Sequence, residues 1–208
     1  MASPRPASRV LSRADTFGFV LFLIGGVAIA VAAVVQAVGD IARALPNRDI
    51  TLSAPFLATE AQAPLGPDGT PVTVTVDTAS VTVESLQPAA LGALVISHAL
   101  FAVAMVTVVT LLLILCFGIL RGRIFSRRHT ALVTAAGIVA IAGMYLVPFF
   151  HNMAVNGALA LLSGGTYDRG VIGTVDLLSI FAVAFVVALA GTVFAIGDRL
   201  RRDTEGLV

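Results

Sequence analysis

Two kinds of hydrophobic pattern follow one another along this chain. Four stretches, near 16–40, 90–120, 130–152 and 172–197, are almost continuously apolar. Each is long enough to cross about 30 Å of hydrocarbon as a helix, which takes roughly 20 residues at about 1.5 Å each. Residues 45–88, between the first two, follow a different rule. In PVTVTVDTASVTVE, residues 71–84, Val72, Val74 and Val76 alternate with Thr73, Thr75 and Asp77, and Val81 and Val83 alternate with Thr82 and Glu84. A period of two marks half-buried strands, and Pro67, Asp68 and Gly69 signal a turn before them. The pattern predicts one domain over 1–208, a membrane all-α fold with a small β insert at 45–88. Four transmembrane helices carry a short antiparallel β meander of three or four strands between helices one and two. An isolated hairpin is marginal in water, so its Val face needs cover. Extensions of spans one and two, and the helix-compatible HNMAVNGALALLSG after span three, offer it.

Charge placement sets the orientation. All 13 basic residues are Arg. Arg5, Arg9 and Arg13 precede span one, Arg121, Arg123, Arg127 and Arg128 join spans two and three, and Arg199, Arg201 and Arg202 follow span four; Arg43, Arg48 and Arg169 fall on the other side. Short Arg-rich loops stay cytoplasmic, which puts both termini and the two-to-three loop inside and the β insert outside. The outer side is acidic, with Asp40, Asp49, Glu60, Asp68, Asp77, Glu84, Asp168 and Asp176.

Composition agrees: 58% hydrophobic residues, 12% charged and no Trp in 208 residues exclude an ordinary soluble domain. The first apolar run is too long for a cleaved signal peptide and reads as a retained anchor. Cys116, the one cysteine, lies in an apolar run and reads as a buried, inert thiol.

No ionisable residue falls near the span centres at Val27, Val106, Ala140 and Phe185, which disfavours proton- or ion-coupled transport. Thr107, Thr110, Thr134 and Thr192 can bond back to their own helices. Small residues four apart, Ala136 with Ala140 and Ala184 with Ala188 and Thr192, predict close helix packing, and Pro148 predicts a kink near the outer end of span three. Counting about twenty residues from each inner boundary places Gln36 with Asp40, His98, His151 with Asn152, and Asp176 at one outer depth. Two His and two Asp suit zinc, but no local ligand spacing supports a metal, and no cofactor is expected.

LRGRIFSRRHTALVTAAG, residues 120–137, and VFAIGDRLRRDTEGLV, residues 193–208, resemble the bacterial four-helix membrane proteins of domain-of-unknown-function family 2975. The matching positions are Gly122, Phe125 and Ser126 at the opening of the third helix, and Gly197, Leu200, Asp203, Glu205, Leu207 and Val208 at the end of the chain. The resemblance covers the last two or three helices and not the β insert. It implies topology more than activity, and small helix-turn-helix repressors as companions.

The inner residues also read physically. Ser126 is a good N-cap for the third helix. Asp198 with Arg202, Arg199 with Asp203 and Arg201 with Glu205 are four apart on a continuation of helix four, which Gly206 ends. Asp203 and Glu205 are expected to fold against the loop bearing Arg121, Arg123, Arg127 and Arg128, with Leu207 and Val208 tucked onto apolar helix ends. The sequence therefore predicts a non-enzymatic, multi-pass protein of the cytoplasmic membrane, sensing or regulating through a protein partner or lipid at its Arg-rich inner face. No direct nucleic-acid contact is expected, and homo-oligomerisation is left open. The competing reading is a small transporter, channel or export-immunity protein for an apolar or lipidic compound; a metalloenzyme at the outer belt ranks third.

Overall fold

The four apolar runs fold as helices that outlast the hydrocarbon they would cross. A computed structural model describes residues 13–120, 126–167 and 176–205. Its helices are α1 (Arg13–Ala44), α2 (Pro88–Leu120), α3 (Arg127–Leu162) and α4 (Leu177–Glu205), and all four are long and apolar enough to span a membrane. At about 1.5 Å per residue, α1, α2 and α3 measure roughly 50 Å, against about 30 Å of hydrocarbon. The excess of α2 and α3 gathers at one end, where the β insert sits. The helix of span three continues through Pro148 and takes in the whole apolar stretch to Leu162.

The helices stand in an open row. α1 packs along α2, α2 along α3 and α3 along α4, and no other helix pair packs closely among the described residues. Small residues set the closest approaches of α2 and α3: a Cβ on Gly157 would lie 2.5 Å from the Ala90 Cβ, and one on Gly143 would lie 2.9 Å from that of Ala104. Backbones can come this near only where side chains are minimal. The α3–α4 contact corrects the expected face of span four. Val187 fills the notch at Gly137 and Gly191 faces Thr134, whereas Ala188 and Thr192 are exposed. The bulky Val187 against a glycine gains more contact than two flat alanine faces would, so α4 is turned. The Thr192 hydroxyl, as expected, donates to the Ala188 carbonyl of its own helix (2.8 Å).

The insert is a two-stranded antiparallel ribbon, β1 (Ile50–Ala63) and β2 (Val72–Val83), closed by a short 3-10 turn at Pro67–Gly69. This replaces the expected meander of three or four short strands. ITLSAPFLATEAQA carries no clean alternation, and it becomes one long strand by pairing with β2 along its length. The register breaks between Pro55 and Thr59, so each strand has two paired segments: 50–55 with 78–83, and 59–63 with 72–76. Phe56 to Ala58 bulge opposite Asp77, and Ala58 takes φ 45°, a conformation that costs a non-glycine residue about 1–2 kcal/mol.

Only the near segment is covered. Ile50, Leu52, Ala54 and Val83 point inward and join Leu86, Ala90, Ala93 and Leu94 of the α2 entry, and Ala154, Val155, Ala158 and Leu159 of α3, in one apolar core. Thr51 and Thr82 face outward, and their hydroxyls bond across the strands at 2.9 Å. Asn47, at φ 51°, ties the end of α1 to the entry of α2: its side chain donates to the Leu86 carbonyl (3.0 Å) and accepts from the Leu86 N–H (2.8 Å).

Candidate functional site

Polar side chains converge where the ribbon meets the helices. On α2, α3 and α4 the stretches from His98 to Leu120, Arg128 to His151 and Asp176 to Arg199 each measure about 35 Å at about 1.5 Å per residue. The ends of these stretches therefore mark two levels, one at the ribbon and one at the chain's last helix turns. At the ribbon level, α1, α2 and α3 bring Asp40, His98 and His151 into one cluster. His98 Nδ1 lies 3.6 Å from the Asp40 carboxylate, whose other oxygen takes the Arg43 guanidinium. His151 Nε2 lies 3.1 Å from the Ser53 carbonyl of β1, linking the helix row to the ribbon. One turn below, the Ser97 hydroxyl donates to the Val147 carbonyl (3.0 Å) beside Pro148, a proline that cannot donate to the carbonyl one turn earlier.

Asp176 does not join them. It caps α4, accepting from the N–H groups of Leu178 (3.1 Å) and Ser179 (3.3 Å) and from the Ser179 hydroxyl. These bonds, the Ser179 hydroxyl first, hold its carboxyl below the usual range. The expected four-member belt is thus three residues plus a separate helix cap, because among the described residues α4 packs closely on α3 only and Asp176 is spent on its own first turn. Among the described residues no group of three His, Cys, Asp or Glu side chains is placed to hold a metal.

Two clefts flank the cluster and share Asp40, His98 and His151 as a common wall. One, of about 350 Å³, opens between the ribbon and α1 and carries Arg43, Asp49 and Ser53. The other, of about 330 Å³, is lined further by Gln36, Ser97, Phe101, Val147 and Pro148. A third cleft, of about 320 Å³ and almost wholly apolar, continues between α2 and α3 from Phe101 and Pro148 to Val108 and Ala140.

The opposite end is built from polar residues. Ser126 caps α3, its hydroxyl accepting the His129 N–H at 3.3 Å. His129 is buried, edge-on to Phe194 (centroids 6.4 Å apart), against the bare flank of Gly118. Asp198 is buried as well. A cleft of about 840 Å³ between α3 and α4 is lined by Arg127, Thr130, Thr134, Thr192, Asp198 and Arg199. Arg127 and Arg128 are exposed. Arg121, Arg123, Leu207 and Val208 lie outside the described residues, as do the side chains of Asp203 and Glu205, and with them the expected docking of the tail on the loop.

Reading the sequence by depth finds Asp40, His98 and His151 but misses the site roles of Arg43, Asp49, Ser53 and Ser97. Arg43 had a signal, being one of few Arg residues on the ribbon side and three residues from Asp40. Asp49 and Ser53 had none, since only the fold of the insert brings them back to the helices. Compared with protein-family models, curated proteins and solved structures, the chain matches none.

Proposed function

We propose that this is a non-enzymatic, multi-pass protein of the cytoplasmic membrane that senses at its ribbon end, outside the cell, and regulates through contacts at its Arg-rich inner face. The observation that carries this reading is the continuity of α2 and α3. These two helices hold the ribbon core at one end and lead directly into the Arg-bearing 121–128 segment at the other. A change at the ribbon that alters their packing moves both ends together. The Arg asymmetry supports the orientation, and the resemblance of residues 120–137 and 193–208 to family 2975 supports a regulatory companion inside.

Transport through a lumen is the weaker reading, because the described helices stand in an open row and enclose none among themselves. Its apolar-ligand variant keeps one observation in its favour, the apolar cleft between α2 and α3. A photo-crosslinking residue at position 128, in cells expressing the full chain, tests regulation. A discrete protein adduct whose yield changes with Gly157→Ala at the far end supports it; no adduct, or one indifferent to the ribbon end, contradicts it.

A further inference from the structure

Three clefts adjoin in series from the ribbon end toward the middle of α2 and α3. The polar cleft and its neighbour share Asp40, His98 and His151, and that neighbour and the apolar groove share Phe101, Val147 and Pro148. The series therefore passes from a charged mouth to a lining of hydrocarbon. Its apolar limb, from His98 to Val108 along α2, measures about 15 Å at 1.5 Å per residue. That is the depth of one leaflet, half of about 30 Å. Volumes of this order, about 300–1,000 Å³, suit ligands of small-molecule size.

The mouth carries charges of both signs. Arg43 has N–H groups beyond those on Asp40, and its side chain is 79% exposed. The Asp49 carboxylate has no hydrogen bond or ion pair among the described residues, although it lines the same cleft. A purely anionic group entering there would meet two carboxylates for one guanidinium. A group with a phosphate and an ammonium matches both, the phosphate on Arg43 and the ammonium on Asp49. The geometry points to a binding site for a single zwitterionic phospholipid of the ribbon-side leaflet, its headgroup between Arg43 and Asp49 and one acyl chain in the α2–α3 groove beside Ala140. It rests on the membrane reading above and is independent of the regulatory one.

The test is lipid retention. The full chain, reconstituted in vesicles of equal phosphatidylethanolamine and phosphatidylglycerol and released into mild detergent, is measured by native mass spectrometry. One phosphatidylethanolamine per chain is expected, at least fivefold over phosphatidylglycerol. Ala140→Phe fills the groove and lowers retention at least tenfold; Val108→Trp on the facing helix does the same by a separate route should the first variant misfold. Arg43→Gln with Asp49→Asn, both at the exposed mouth, brings the headgroup preference to within twofold of unity. Retention no higher in the wild type than in the filled-groove variants, a preference for phosphatidylglycerol, or a preference unmoved by the mouth variants overturns the proposal. So does displacement of the lipid by millimolar soluble phosphoethanolamine, which would make the mouth a site for a free zwitterion. Extraction of the wild-type protein from vesicles by alkaline carbonate would instead overturn the membrane reading on which the site stands.

Discussion

The two ends of the helix row are held by different physics. At the ribbon end Leu52, Val83, Leu86, Val155 and Leu159 close an apolar core, and charge stays at its margin on Asp40 and Arg43. At the other end His129 and Asp198 are buried and Arg127 and Arg199 line an open cleft. Apolar packing tolerates neither lost volume nor added charge, whereas a polar, partly wet end rearranges at lower cost. The ribbon end is thus the rigid reference, and the polar end is the one that can rearrange at lower cost.

Charge in the core gives the largest expected break in that comparison. Leu52→Asp puts an unpaired carboxylate among buried side chains and should cost more than about 3 kcal/mol. Val74→Asp, at a half-buried position in the far segment of the same ribbon, should cost only about 1 kcal/mol; equal losses in denaturant unfolding would mean that the near segment is not in the core. Next come the paired glycines. Gly157→Ala sets two rigid Cβ atoms against each other and should cost about 1–3 kcal/mol. Gly118→Ala is relieved by a rotation of the His129 ring, which disturbs its contact with Phe194, and should cost about 1 kcal/mol. The reverse order in melting temperature would remove the distinction between the ends.

Smaller still is a gain at the bulge: Ala58→Gly relieves a positive φ costing about 1–2 kcal/mol against about 0.5–1 kcal/mol of added unfolded-state entropy, and should raise stability in denaturant unfolding by about 0.5–1 kcal/mol. The smallest effect belongs to Asp176. Its folded carboxyl is held below the ordinary value, so its contribution is present above about pH 4 and is lost as pH falls through the folded pKa. The melting-temperature difference between wild type and Asp176→Ala should be constant near neutrality and shrink below about pH 4. A difference that grows on acidification would contradict the cap.

Continuous apolar runs made the helices legible, and the Val–Thr alternation made β2 legible, because each pattern repeats at its element's own period. Ser126 was readable as a cap and Thr192 as a back-bonding hydroxyl, since both act within a single turn. What distant partners decide was hidden. β1 is a strand through its pairing with β2, despite Pro55. The face of α4 is chosen by the notch at Gly137, and the number of strands by a bulge that keeps one ribbon continuous. Depth counting gathered Asp40, His98 and His151 because three neighbouring helices cross together; it failed for Asp176, where equal depth on the outermost helix of the row brings no contact.

The claim that the two ends lie on opposite sides of the membrane is tested most directly by labelling. Single cysteines at Thr78 and at Arg128, each in a Cys116→Ala background, are treated in intact cells with a membrane-impermeant maleimide. The account predicts labelling at position 78 before lysis and at position 128 only after it. Labelling of both from outside, or of position 128 alone, would contradict it.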